Sequence, residues 1–340
     1  MPELGGPNLP AGQIRPVLDF KLHRHVVKSN KGPMNTPAFA RRLTVLSLLA
    51  SLALPFSSGF GADMLPAPAS VPAEVAIARP TAAEVAQATE NLQRLLAQAD
   101  PATKTILAKF PDLIAVRPPR VNPAVVPALN PGFRPKHNAY LELAKKGDID
   151  LLFMGDSITD FWRDSGAPGV ANPPRAGKVV FDKYYGGMKV ANFGISGDTT
   201  QGVLYRLQNG EGQGFQPKAI MLMIGTNNAA TCTSAEIAEG VGAVVLELRK
   251  DFPAAKILLL GIFPRGNPGD PVRKAVLDVN PIIAKLHDGQ HVFYLDIGAK
   301  FLDADGVLQP DIMADKLHPN EKGYVIWAEA VKAPLAELMK

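Results

Sequence analysis

The stretch Ile149-Asp-Leu-Leu-Phe-Met-Gly-Asp-Ser-Ile-Thr159 decides the fold. Residues 149–154 are apolar almost without interruption, which reads as a strand buried on both faces rather than one alternating between core and water. Gly155 then permits a tight turn, and Ser157 stands where a helix would start. Four further runs of this kind follow, at 188–193, 218–224, 256–262 and 291–297. Between them lie helical stretches at about 200–209, 234–251 and 271–287, and a last helix spans about 320–339. Thr233-Ser-Ala-Glu236 is a capping box at the start of one of them. Five strands joined by helical crossovers predict a parallel α/β sheet covered on both faces. In such sheets ligands bind beyond the carboxyl ends of the strands.

Upstream of residue 137 the pattern changes. Twelve prolines stand between 63 and 135, concentrated in 66–80 and 111–135, and both stretches read as extended linkers. Thr81-Ala-Ala-Glu84 caps one or two amphipathic helices between them. Further upstream, Arg41 and Arg42 precede the apolar run 43–56 and the small residues Ser57-Ser-Gly-Phe-Gly-Ala62, the layout of a signal peptide. A buried helix is the other reading of that run, which is too short for a membrane span of about 20 residues. The expected organisation is an upstream extension plus signal peptide over 1–62, with the signal at 34–62, a proline-rich linker over 63–136, and a catalytic domain over 137–340. A periplasmic or secreted product is expected, without a lipid anchor, because the only cysteine is Cys232.

The formal charge of +4 is unevenly placed. Residues 1–62 hold seven basic and two acidic side chains, and the remainder holds 29 basic and 30 acidic ones. The part that would fold is thus close to neutral, and nucleic acid is not an expected partner.

Residues suited to chemistry fall after several strands. Ser157 puts a hydroxyl at a helix N-terminus, whose N–H groups and positive dipole suit a developing oxyanion, although alone it reads equally as a helix cap. Asn192-Phe-Gly-Ile-Ser-Gly197-Asp-Thr199 follows the second run and Gly225-Thr-Asn227-Asn228 the third. Glycines there admit a substrate close to the backbone and Asn227 can offer an amide N–H, yet each loop is also an ordinary turn. Asp315-Lys-Leu-His318 lets a carboxylate hold one imidazole nitrogen while the other faces outward, as a general base requires. An Asp/His helix cap and a metal site are the rival readings. The latter is weak, since His137, His287 and His291 lack metal-like spacing with His318.

Taken in order, Gly155-Asp156-Ser157, the Gly197 segment, Gly225-Thr226-Asn227 and Asp315 with His318 resemble the four blocks of the SGNH, or GDSL-type, hydrolase superfamily. Residues 192–201, Leu204-Tyr-Arg-Leu-Gln-Asn-Gly210 and Phe263-Pro-Arg-Gly266 are similar to the catalytic subunits of intracellular platelet-activating-factor acetylhydrolase and their bacterial relatives, from which Ser196 departs at a position where they often have Gly. The likeness covers about 137–340. It implies a flavodoxin-like three-layer α/β/α sandwich with strand order 2-1-3-4-5. It also implies Ser157 as nucleophile, His318 as base, Asp315 as its orienting acid, and an oxyanion hole from the Ser157 and Gly197 N–H groups and the Asn227 amide, with no metal or cofactor. No Gly-x-Ser-x-Gly elbow is present, which argues against an α/β-hydrolase. The expected function is a secreted esterase for short, acetyl-type esters, on a small-molecule or carbohydrate substrate. Phe161-Trp162 and the connection 163–187 are candidate pocket walls. An acetyltransferase using the same residues and a catalytically dead carbohydrate-binding protein are the alternatives.

Overall fold

A computed structural model describes residues 66–163 and 176–340. The expected signal segment 34–62 and the middle of the 163–187 connection lie outside the described residues. Five strands form one sheet: β1 Leu151–Gly155, β2 Val190–Asn192, β3 Ala219–Met223, β4 Lys256–Leu260 and β5 Val292–Leu295. All pairings are parallel, in the order β2-β1-β3-β4-β5. Side chains alternate across the sheet. Leu152 and Met154 join Ile220, Leu222, Ile257 and Leu259 on one face, while Leu151 and Phe153 join Met221, Met223, Leu258 and Leu260 on the other. Both faces are packed, which is why the strands read as continuous apolar runs.

The helices are α1 Ala82–Gln98, α2 Pro101–Leu107, α3 Arg134–Lys145, α4 Ser157–Asp160, α5 Gly177–Tyr185, α6 Thr200–Arg206, α7 Ser234–Asp251, α8 Pro271–Ile283 and α9 Glu321–Leu338. Helices α3, α6, α7 and α8 cover the first face, α5 and α9 the second. From β1 the chain steps outward to β2 through α5, then returns through α6 past β1 to β3 and continues through α7 and α8. Right-handed crossovers running in opposite directions must lie on opposite faces. The carboxyl ends of β1 and β3 therefore flank the switch point, where this class of sheet opens a crevice.

Local signals were accurate where they were strong. The Thr233/Glu236 capping box opens α7 and the Thr81/Glu84 box opens α1, both with reciprocal side-chain bonds. Helix α6 ends before residue 209, in a π-helical turn over Leu207–Glu211. Helix α5 lies inside the connection read as a loop and candidate wall, and it is held by packing rather than by a cap: Tyr185 stands edge-on to Phe153 at 5.1 Å and to Trp162 at 5.6 Å. Trp162 itself is fully buried against Tyr324 and Trp327, at 4.5 and 5.1 Å between ring centroids. Of the two aromatic residues proposed as walls, it belongs to the core.

Parts of the proline-rich stretches 66–80 and 111–135, read as linkers, lie against the domain: Val75, Asn122, Ala124 and Val125 are buried, while most of their other residues are exposed or half-buried. The boundary placed at residue 136 falls inside α3. Proline fixes φ and removes a donor, but it leaves carbonyls and ring surface free to pack. By contrast α1 and α2 bury no residue. No helix among the described residues is long and apolar enough to cross a membrane.

The aromatic layer between α9 and the sheet sets the stability of that face. Trp327→Ala should cost about 3–5 kcal/mol, as large-to-small changes of buried aromatic residues do, whereas Val179→Ala, at a side chain 53% exposed, should stay within about 0.5 kcal/mol. Urea denaturation of the two variants checks the contrast.

Candidate active site

Ser157 is the first residue of α4, directly beyond β1. Gly155 makes that turn possible: a Cβ there would lie 2.3 Å from Thr159 Oγ1 and 2.4 Å from the Met223 carbonyl oxygen. Asp156 caps the short helix by accepting the Ile158 N–H at 3.0 Å, and burial pushes its carboxyl up to about 7. As a first-turn residue, Ser157 has no acceptor for its own N–H within the helix.

The Ser157 Oγ lies 2.9 Å from His318 Nε2, and His318 Nδ1 lies 2.7 Å from Asp315 Oδ2. The other Asp315 oxygen accepts the backbone N–H groups of His318 and Leu317, at 2.8 and 3.1 Å. Between them Lys316 adopts a left-handed φ of 56°. Burial raises the affinity of Asp315 for a proton, but the His318 N–H, the imidazole and the Leu317 N–H together outweigh it and hold the carboxyl below its usual range. Phe161 stands beside the imidazole, its ring centroid 5.0 Å from that of His318.

The second group of expected residues meets at Asp198. Gly197, at φ 86°, is exposed at the end of the loop after β2. The Asn227 amide, from the loop after β3, donates to the Asp198 carbonyl at 2.8 Å. Phe133 borders the same loop, its Cζ 3.5 Å from where a Cβ on Gly197 would stand. The neighbouring Asn228 is spent elsewhere. It is buried, accepts the Thr200 N–H at 3.1 Å and donates to Gln201 Oε1 at 2.7 Å. Adjacent asparagines thus have different tasks, one tying two loops at the crevice and the other holding the start of α6.

Beneath the loop lies a polar network that the sequence reading missed. Arg206 is wholly buried, donates to Asp198 Oδ2 through two nitrogens at 3.0 and 2.8 Å, and pairs with Glu211. Glu211 in turn lies 2.7 Å from His137 Nδ1. A second network anchors the end of β2: Arg163 donates to the Asn192 and Gly194 carbonyls at 2.7 and 2.9 Å and pairs with Asp160, whose other oxygen accepts the Ser196 N–H at 2.9 Å. The available signal was Arg206 itself, which falls beside Val203, Leu204 and Leu207 on the buried side of α6, where an unpaired charge would be untenable. Among the described residues no group of three or more His, Cys, Asp or Glu side chains is arranged to hold a metal.

Residues 153–326 match the GDSL-like Lipase/Acylhydrolase family. The chain is similar to the platelet-activating factor acetylhydrolase IB subunit alpha2 of Rattus norvegicus, with 34% identity over 211 residues, 60% of this chain and 82% of that protein. The Gallus gallus subunit is 32% identical over 231 residues, 64% of this chain and 90% of its own length. A solved GDSL-like lipase of Bacteroides thetaiotaomicron aligns with 60% of this chain and 97% of its own, at 17% identity and a TM-score of 0.47. The family match runs from within β1 into the first third of α9 and includes every residue of the Ser157, Gly197, Asn227 and His318 constellation, so the chain belongs to the GDSL-like lipase/acylhydrolase family of the SGNH superfamily and is a carboxylic-ester hydrolase.

Proposed function

We propose that this hydrolase is an exported serine esterase that removes short acyl groups, acetyl foremost, from a carbohydrate or other small alcohol. The observation that carries the catalytic part is the unbroken hydrogen-bonded line from Ser157 Oγ through both nitrogens of His318 to Asp315. His318 takes the hydroxyl proton as Ser157 attacks the ester carbonyl, and Asp315 orients and stabilises the imidazolium. The same imidazole returns the proton to the departing alcohol, and water then releases the acyl group. The Ser157 and Gly197 N–H groups and the second N–H of the Asn227 amide hold the tetrahedral oxyanion.

The aromatic side chains that border these atoms are Phe161 beside His318 and Phe133 beside Gly197, and a small substrate suits apolar neighbours so near the reacting groups. The similarity to acetylhydrolases supports the same choice. Export rests on the charged, apolar and small-residue succession in residues 34–62.

Turnover of p-nitrophenyl acetate tests the catalytic unit. Ser157→Ala and His318→Ala should each abolish most of it, and the double variant should lose little more, because the two act as one device. Asp315→Asn should lose up to ~10⁴-fold in kcat; additive losses in the double variant count against the assignment. Acidification should lower kcat/KM as His318 takes up a proton. His318 must be neutral to act as base, and Asp315, held below the usual carboxylate range, stays ionised after the imidazole has charged.

For the oxyanion hole, Asn227→Ala should cost roughly 10²- to 10³-fold in kcat with KM little changed. Asn228→Ala should instead lower the melting temperature, since it strands buried partners. The opposite pattern would assign the two asparagines the other way round. Expression in a secreting bacterial host should give a product that begins near Ala62 or Asp63, and an intact mass that retains Met1 or Met34 on exported protein would refute processing there.

A further inference from the structure

We infer that residues 66–133, which precede the matched family region, are a positioning part of the catalytic unit: they hold the amino end of α6, and through it the Gly197–Asp198 loop that the proposed mechanism uses as an oxyanion donor. The inference rests on that oxyanion role. Helix α6 starts at Thr200, directly after the loop, and both of its first residues are bonded to the upstream segment. Thr200 Oγ1 donates to the Ala124 carbonyl at 2.7 Å in a buried bond, and the Ala128 N–H donates to the Gln201 carbonyl at 3.0 Å. From the opposite side Asn228 holds the Thr200 N–H. The first turn of a helix has N–H groups without intrahelical partners, so its position is set by whatever grips it from outside. Here the grip comes from the loop after β3 and from the upstream segment together.

The catalytic domain is shaped to receive that segment. On α7, Gly240 leaves room for the joint, since a Cβ would lie 2.5 Å from Thr200 Oγ1 and 2.9 Å from the Ala124 carbonyl oxygen. The adjoining residue, Glu239, is 1% exposed. It accepts two bonds from Arg79, at 2.7 and 2.6 Å, the Ile77 N–H at 2.7 Å and the Asn122 amide at 2.8 Å. Glu236 pairs with Arg120 at 2.6 Å. A buried carboxylate answered by residues of 77–122 would be stranded without them. The segment is therefore a strap fastened to α7 by charge and laid across the start of α6.

The test uses the full chain, p-nitrophenyl acetate and phenylboronic acid, which forms a tetrahedral adduct on the nucleophilic serine. Thr200→Val keeps the shape but removes the donor to Ala124, together with an acceptor for the Asn228 amide, so the strap contribution is isolated by a strap-side double variant. It should lower kcat roughly tenfold, leave KM within about twofold, and weaken the boronate by a factor like that in kcat. Thr200→Ser should restore both. The double variant Arg79→Ala/Arg120→Ala alters only the strap side and should show the same kcat-selective loss. Wild-type kcat and boronate affinity in Thr200→Val and in the folded double variant would overturn the inference. So would a loss of turnover that tracks only the folded fraction with boronate affinity unchanged, because the strap would then be merely stabilising. If Ser157→Ala remains active, the proposed mechanism fails and this inference with it. If Ser157→Ala and Asn227→Ala are impaired while Thr200→Val is not, this inference alone fails.

Discussion

An arginine with no exposure to water has to be answered by charge and hydrogen bonds on every side, and Arg206 is answered by Asp198 and Glu211. Fixing Asp198 fixes its backbone as well, and that backbone supplies the carbonyl to which Asn227 donates. The loops after β2 and β3 are thus coupled at the crevice through one residue whose side chain cannot leave its partner without stranding a buried guanidinium. His137, at the start of α3, closes the far end of the network on Glu211. The upper surface of the site is exposed glycine backbone, but its foundation is a dry ion cluster.

Much of the fold was legible because its signals are local or periodic. The doubly covered strands announced themselves as apolar runs, and the capping boxes of α1 and α7 fixed helix starts to the residue. Spacing and position marked Asp315, His318 and Ser157 as candidates, but each alone reads also as a helix cap, and only the ordered resemblance of the four blocks to the SGNH superfamily singled them out together. The structure brings those three together in one bonded line. What stayed hidden depends on distant partners. Helix α5 carries no capping side chain and exists by leaning on Phe153 and Trp162. The different fates of Asn227 and Asn228 are decided by Asp198 and Thr200, nearly thirty positions earlier in the chain. Proline content marked residues 66–80 and 111–135 as extended without revealing that Glu236 and Glu239, more than a hundred positions away, are buried to receive them.

Ser157, the proposed nucleophile, is presented by very little structure. Helix α4 has four residues, one cap and no length over which a dipole could build. Its placement comes from the sheet instead: Gly155 is squeezed between Thr159 and the edge of β3, so the turn carrying Ser157 has one path out of the strand. Tyr324 of α9 donates to the Ile158 carbonyl at 2.8 Å and locks the underside of that turn. The helix that follows His318 therefore also supports the serine.

The left-handed Lys316 lets Asp315 wrap its carboxylate around the Leu317 and His318 amides and the His318 ring, so residues 315–318 form a closed local loop. Such a loop behaves as a single rigid cartridge. Of the hydrogen bonds that join the three groups, the one between Ser157 and His318 alone bridges remote parts of the chain, 161 positions apart. The proposed chemistry accordingly depends on one interatomic spacing, which joins the turn after β1 to the turn before α9.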